Sequence, residues 1–247
     1  MKAIILAAGR GSRMNKGTEN KPKCLMKLCG QSLLEYGIKS LLKAGFERGD
    51  IAIVTGYKKE QIQVDGIKCF HNPNWAETNM FISLTMAREW LLSQPCVVCY
   101  GDICYSADAV KKLRESPAKL TITYFSGYWE LWSQRFQNPL DDLETFKLNH
   151  GELMEIGQKP SSKEEVQGQY MGLIKFTPEA WLDVERIIKL PGAEPVEKLD
   201  MTTLLNNLLK NGVRIETIQS DDLWLECDSM DDIIVYEKLY KDLPSLF

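Results

Sequence analysis

Short, continuously apolar runs alternate along most of the chain with segments whose apolar residues recur at helical spacing. Residues 2–7 (Lys-Ala-Ile-Ile-Leu-Ala) predict a buried strand, and a glycine-rich loop follows. In residues 32–44, Leu33, Leu34, Ile38, Leu41 and Leu42 share one helical face; Ser32 is placed to cap the start and Gly45 the end. Residues 51–55 (Ile-Ala-Ile-Val-Thr) predict a second buried strand, closed by Gly56. This βαβ rhythm predicts a parallel sheet with right-handed crossovers. It continues with a short strand at 67–70, a helix at 80–92, a third buried strand at 96–100 and a short helix at 107–114. A strand with alternating pattern follows at 119–125. From about 126 to 176 the pattern changes to short strands, turns and clustered tryptophans. Residues 126–200 read as an inserted lid or acceptor-binding lobe. The closing elements are a helix over 203–209, a strand over 213–218 and a helix over 230–241.

Composition narrows the class. The 247 residues are 44% hydrophobic and 26% charged, which suits a globular chain and argues against disorder. An α/β chain of this size can form one unit around one main core, so residues 1–247 read as a single domain. The formal net charge of −4 gives no basic excess for a nucleic-acid surface, so no nucleic-acid partner is expected and any phosphate-binding charge must be local. The apolar start runs into Gly9-Arg10-Gly11-Ser12-Arg13, too early and too charged for a secretory signal. No apolar stretch approaches the ~20 residues that span a bilayer, so no membrane insertion is expected. The seven cysteines are scattered, and Cys96-Val97-Val98-Cys99 lies inside an apolar run. They read as reduced core residues of a cytoplasmic protein.

The first segment with chemical content is Leu6-Ala7-Ala8-Gly9-Arg10-Gly11-Ser12-Arg13-Met14, which leaves a buried strand and enters a loop. Glycines at 9 and 11 let backbone N–H groups turn toward phosphate oxygens. Arg13 adds a bidentate-capable cation, and Lys23, stiffened by Pro22, adds a second. The loop is not a P-loop, since G-x-x-x-x-G-K-[ST] is missing. It is a poor dinucleotide fingerprint, since Met14 stands at the third glycine position. A third reading fits the whole ordered set. Leu-Ala-Ala-Gly-x-Gly-x-Arg-Met, then Thr18, Pro22-Lys23-x-Leu25 and Gly30-x-Ser32-Leu33-Leu34, resembles the nucleotidyltransferase family that makes nucleotide-sugars and CDP-alcohols.

Asp102 follows a buried strand in Cys99-Tyr100-Gly101-Asp102. A carboxylate at the carboxyl end of a parallel strand faces the ligand crevice of an open α/β sheet, and its hard oxygens suit Mg²⁺. As a cap for the 107–114 helix Asp102 sits early. In Trp224-Leu225-Glu226-Cys227-Asp228-Ser229, Glu226 and Asp228 point to one face if extended, and Asp228 can equally cap the following helix. The resemblance assigns Mg²⁺ to a strand-end Asp together with a late W-x-[DE]-x-D-[ST] segment, which here falls on Asp102 and Asp228, with Glu226 in the other acidic slot. Lys159, in Glu155-Ile156-Gly157-Gln158-Lys159-Pro160, is similar to the family's E-x-K segment, whose lysine contacts phosphate; it can equally be a solvated loop lysine.

Residues 72–84, from Asn72-Pro73 through Thr78-Asn79-Met80 to Ser83-Leu84, resemble the N-P-x-x-x-x-T-N-N-x-x-S-L segment of bacterial phosphocholine and 2-aminoethylphosphonate cytidylyltransferases, with Met80 in place of the second Asn. Thr78, Asn79 and Ser83 carry groups able to read a pyrimidine edge, although Thr78 can also cap the 80–92 helix. The resemblance therefore implies a Rossmann-like three-layer α/β/α fold with a mixed, mostly parallel sheet. It implies Mg²⁺ as cofactor and CTP plus a small phosphorylated or phosphonate acceptor as partners. Leu6, Ala7, Ala8, Gly9, Gly11, Thr78, Asn79, Ser83 and Gly101 are the expected nucleotide residues, and Arg13, Lys23 and Lys159 the expected catalytic cations. Trp129, Glu130, Tyr170 and Gly172 are the expected acceptor residues, aromatics beside an acid being able to cage a cationic amine. Two other readings remain open: a sugar- or inositol-1-phosphate nucleotidyltransferase, and a non-catalytic nucleotide-binding regulatory module.

Overall fold

The computed structural model describes the backbone of residues 1–247 and all side chains except those of Asn15, Lys16 and Leu246. The apolar runs do form strands. β1 (Lys2–Ala7) is followed by the short pair β2 (Lys27–Leu28) and β3 (Gln31–Ser32), then α1 (Leu33–Lys43), β4 (Ile51–Thr55) and β5 (Lys68–His71). Next come α2 (Met80–Thr85), α3 (Arg88–Ser93), β6 (Cys96–Tyr100), β7 (Ile103–Cys104), α4 (Ala107–Glu115) and β8 (Leu120–Phe125). The remainder is α5 (Tyr128–Arg135), β9 (Phe146–Asn149), β10 (Glu152–Ile156), β11 (Gln169–Phe176), α6 (Pro178–Ile187), α7 (Met201–Lys210), β12 (Glu216–Ser220), β13 (Leu225–Glu226), α8 (Met230–Leu239) and α9 (Leu243–Leu246).

Nine strands make one sheet in the order β5-β4-β1-β6-β11-β8-β12-β10-β9. β5, β4, β1 and β6 are mutually parallel, with Ile5 beside both Ile53 and Cys99. β11 runs against β6 and β8, and β10 against β12 and β9, so the sheet is mixed and mostly parallel. Successive residues of a continuously apolar strand face opposite sides, and both sides are covered. Ile5, Ile53 and Val97 pack with α1 and α4 on one side, and Ile4, Val54 and Val98 with α2, α6 and α7 on the other. The result is the expected three-layer α/β/α, Rossmann-like fold.

Several local expectations shift. The 80–92 helix divides into α2 and α3, because the backbone tightens to i→i−3 bonds from the Met86 N–H to the Ser83 carbonyl and from Ala87 to Leu84. The late strand begins at Glu216, opposite Thr121. Residues 128–135 form a helix where short strands and turns were expected, and Trp132 of that helix is fully buried. Within residues 126–200, β11 lies in the middle of the sheet between β6 and β8, while β9 and β10 extend its far edge.

Candidate active site

β1 and β6 lie side by side, and their carboxyl ends deliver the two halves of the site. Beyond β1 the chain turns through Gly9 and Gly11, the latter at φ +74°, and a Cβ on Gly11 would sit 2.7 Å from the Lys23 side chain. A glycine is therefore needed where Lys23 passes under the loop. Beyond β6, the Gly101 N–H donates to the Leu6 carbonyl at 2.9 Å. A Cβ there would stand 2.7 Å from the same oxygen, so Gly101 brings Asp102 alongside the loop. Ser106 caps α4, which leaves Asp102 free of that role.

Asp228 arrives from the far end of the chain. β13 pairs antiparallel with β7, Glu226 opposite Ile103, and the Cys227 N–H donates to the Asp102 carbonyl at 3.0 Å. The Tyr236 hydroxyl donates to the Glu226 carbonyl at 3.1 Å, and the Trp224 indole N–H to the Met171 carbonyl at 3.0 Å. The cap of α8 is Ser229, with Asp232 completing a capping box. The Asp228 carboxylate is thus released to face the loop.

There Lys23 joins the two carboxylates. Its Nζ lies 2.6 Å from Asp102 Oδ2 and 2.8 Å from Asp228 Oδ1, and Arg13 Nη2 lies 2.7 Å from the same Asp228 oxygen. Burial opposes the Lys23 charge, but Asp102 and Asp228 outweigh it and hold the ammonium above its ordinary pKa. Burial likewise pushes Asp228 up, while Lys23, Arg13 and Arg135 together hold it below the usual carboxylate range. Burial, then repulsion from Asp228 and Asp102, raises Glu226 well above that range. The Arg13 side chain is 66% exposed, so it can swing to an incoming anion without unfolding the loop.

A divalent cation fits this donor set. Asp102 Oδ1 is buried with no hydrogen-bond partner, an open hard-oxygen ligand beside the carboxylate of Asp228. Among the described residues no three His, Cys, Asp or Glu side chains are grouped to hold a metal by themselves. Mg²⁺ seldom asks for that: it takes one or two carboxylates and fills its remaining positions with water and substrate phosphates.

Six of the expected nucleotide residues line one cavity of about 270 Å³: Leu6, Ala8, Gly9, Thr78, Asn79 and Ser83. Ala7 is buried in β1 and does not line it, and Trp75, Met80 and Asp200 complete the wall. Larger hollows of about 670 and 970 Å³ lie elsewhere; the carboxylate cluster lines none of the three, and the 270 Å³ cavity is distinguished by sharing Gly9 of the β1 loop with the site. The 78–83 loop has its own scaffold. Fully buried Asn72 donates to Thr78 Oγ1 and Ser83 Oγ, both at 3.0 Å, and accepts from the Asn74 N–H. Asn79 is the residue before α2, and its amide donates to the Lys198 carbonyl at 2.6 Å. We predict that Asn72→Ala raises the KM for the nucleotide about tenfold with a smaller change in kcat, the scale of one or two unmade hydrogen bonds. A KM within twofold of the parent would show that the loop holds its shape without Asn72.

The expected acceptor residues are more scattered. Tyr170 is buried edge-on to Tyr100, ring centroids 5.9 Å apart. Gly172, at φ +73°, lies in the irregular part of β11, where a Cβ would meet the Tyr100 ring at 2.7 Å. Glu130 is exposed, and the Trp129 ring carries the Lys163 ammonium 4.3 Å from its centroid, so this aromatic face already has a cation from its own chain. Lys159 is exposed and donates to the carbonyls of Leu140 and Asp141, outside the carboxylate cluster. Residues to which the sequence reading gave no site role lie against the site: Arg135 and Asp232 beside Asp228, Asp200 on the cavity wall, and Asn72 bonded to Thr78 and Ser83. Burial, with Asp200 and Asp142 nearby, pushes the Glu144 carboxyl up to about 7.

An open α/β sheet with a glycine loop, paired cations, one carboxylate at a strand end and a second brought beside it is an arrangement suited to an enzyme that handles nucleoside triphosphates. Residues 3–153 match the MobA-like NTP transferase domain, and the chain belongs to that family of nucleotidyltransferases. A CTP:phosphoglutamine cytidylyltransferase of Campylobacter jejuni is 32% identical over 95% of this chain and 98% of its own length. A choline-phosphate cytidylyltransferase of Streptococcus pneumoniae is 36% identical over 53% of this chain and 55% of its own length. In fold, the inositol-1-phosphate CTP transferase from T. maritima superposes with a TM-score of 0.75 at 19% identity, covering 98% of this chain and 96% of that one.

Proposed function

We propose that the protein is a Mg²⁺-dependent cytidylyltransferase, joining CTP to a small phosphorylated or phosphonate headgroup and releasing pyrophosphate. The observation that carries this reading is the Lys23 ammonium held between Asp102 and Asp228 beside the Gly9–Gly11 loop. A phosphorylated amino-acid headgroup of the phosphoglutamine kind is the first acceptor to consider, because similarity to that relative runs the length of the chain while similarity to the choline-phosphate enzyme spans about half. Met80, where the phosphocholine pattern has Asn, and the Lys163 ammonium over Trp129 also favour an acceptor other than a quaternary amine. The same reading places the enzyme in the cytoplasm, supported by its free, mostly buried thiols.

The chemistry follows from the residues. An acceptor phosphate or phosphonate oxygen attacks the α-phosphorus of CTP; that P–O bond forms as the bond to the β-phosphate oxygen breaks, and pyrophosphate leaves. The nucleophile is already anionic, so no side chain need remove a proton. Catalysis is positioning and charge neutralisation. The Gly9–Gly11 backbone cradles phosphate, and Thr78, Asn79 and Ser83 face the base. Arg13 and Lys23 take charge developing on the phosphoryl oxygens, and Lys159 can join them on release from its two carbonyls. Asp102 and Asp228, with Glu226 beside them, would hold Mg²⁺, which when bound neutralises the α-phosphate and the leaving group.

The test is pyrophosphate release with Mg²⁺, crossing CTP, UTP, GTP, ATP and dTTP against phosphoglutamine, phosphocholine, phosphoethanolamine, 2-aminoethylphosphonate and sugar and inositol 1-phosphates. Turnover confined to CTP with an amino-bearing headgroup is the expected result. Turnover with a sugar or inositol phosphate would keep the catalytic core and overturn the acceptor. No turnover with any pair would favour a non-catalytic nucleotide-binding module.

A further inference from the structure

Arg135 ends α5, on an element that carries no other residue of the carboxylate cluster. Its side chain has no solvent exposure. The guanidinium lies 4.7 Å from the Trp132 ring centroid and 5.1 Å from that of Phe136. Its Nε donates to Asp232 Oδ1 at 2.7 Å. The other oxygen of Asp232 accepts from the N–H groups of Asp228, at 2.9 Å, and Ser229, at 2.8 Å. Arg135 therefore grips the carboxylate that fixes the Asp228 backbone. On the same side Nη2 lies 3.6 Å from Asp228 Oδ2 and Nη1 lies 4.0 Å from Glu226 Oε2. Neither Nη1 nor Nη2 makes a hydrogen bond, although both are buried.

Two unbonded amino groups on a fully buried guanidinium cost free energy, so stability alone is a poor reason for this residue. Its position relative to the acids is a better one. Lys23 and Arg13 meet Asp228 at Oδ1 from the loop side, while Arg135 stands against its other oxygen, Oδ2, with Asp232 and Glu226 on its remaining nitrogens. With no exposure Arg135 cannot touch a substrate. It can act on Asp228 twice, through the side chain directly and through the backbone by way of Asp232.

Resting on the cytidylyltransferase reading above, we propose that Arg135 is a positioning residue that holds Glu226 and Asp228 in the geometry in which they receive the divalent cation. The planar fork is needed because one ammonium cannot span Asp232, Asp228 and Glu226 together. Arg135→Lys should therefore behave much like Arg135→Met.

Two readings on the intact chain test this: the Tm with CTP, with and without MnCl₂, and the Mg²⁺ concentration for half-maximal turnover. In the parent, Mn²⁺ should raise Tm beyond the effect of CTP alone. Arg135→Met and Arg135→Lys should lose most of that Mn²⁺-dependent rise, and half-maximal turnover should need about tenfold more Mg²⁺, the factor for a coupling of about 1.4 kcal/mol. The acceptor KM should hold. A lower basal Tm with both metal responses intact would reduce Arg135 to a structural role and overturn the proposal, as would a parent with no Mn²⁺ response. If the parent turns over no CTP yet shows a Mn²⁺ response that both variants lose, the proposed reaction fails and Arg135 keeps its role. If neither variant folds, Asp232→Asn gives the same readings through the backbone arm alone.

Discussion

Asp102→Asn is expected to lower kcat for pyrophosphate release by roughly 10²–10³-fold, the loss seen when one preorganised electrostatic group is removed from a transition-state site. The substitution keeps the shape of the side chain and removes one hard anionic ligand. Lys23 keeps Asp228 at 2.8 Å, Asp102 Oδ1 has no hydrogen bond to lose, and an amide oxygen can accept the Lys23 bond now made to Oδ2, so the fold has little reason to change. The variant should match the parent's circular dichroism and unfold within a few degrees of it, while its Mg²⁺ requirement rises. Near-parent kcat at saturating Mg²⁺ would remove Asp102 from the metal site and with it the carboxylate-pair mechanism.

Lys23→Met is expected to damage both activity and stability. Turnover should fall on the order of 10²–10³-fold, since the ammonium closest to both carboxylates is lost. Stability should fall by up to about 3 kcal/mol, because Asp102 and Asp228 remain in a largely buried place without the cation they share. Arg13 and Arg135 still face Asp228, which keeps the loss at the low end for a buried pair. The double variant Lys23→Met/Asp102→Asn separates the two effects. Removing one acid should recover part of the stability, whereas kcat should stay as low as in the worse single variant. Denaturant melts and initial rates on the four proteins give both answers. A Lys23→Met protein with an unchanged kcat would leave Lys23 a purely structural counter-ion.

Asp102 stands out in sequence because an acid directly after Cys-Val-Val-Cys-Tyr-Gly must emerge at a strand end. Lys23 is visible only as part of an ordered loop motif. That its ammonium is shared with an acid 205 positions away is a fact of packing, which no local pattern encodes. Whether Asp228 caps the following helix could not be read from spacing either. Ser229 takes that cap with Asp232, which leaves the preceding carboxylate free of that role. Arg135 left a single trace, an i,i+3 spacing from Trp132 that places a cation beside a ring on one helical face. That trace lay in a segment read as strands and turns, because Tyr128, Trp129 and Trp132 are weak helix formers and only burial of Trp132 against Trp224, centroids 5.7 Å apart, makes the helix worthwhile.

The sequence by itself determined the α/β alternation, the parallel strands β1, β4 and β6, the capped helix α1, and a glycine loop beside a strand-end acid. All of these depend on periodicity, backbone freedom and direct chain continuity, which are local properties. Tertiary structure alone decided that β11 enters the centre of the sheet, that β13 pairs with β7 to carry Asp228 to Asp102, that Asn72 bonds Thr78 and Ser83, and that Arg135 stands against Asp228 and Asp232. Those outcomes depend on which distant surfaces bury one another and on how the acids and cations brought together balance their charge, and neither is written in the spacing of any one segment.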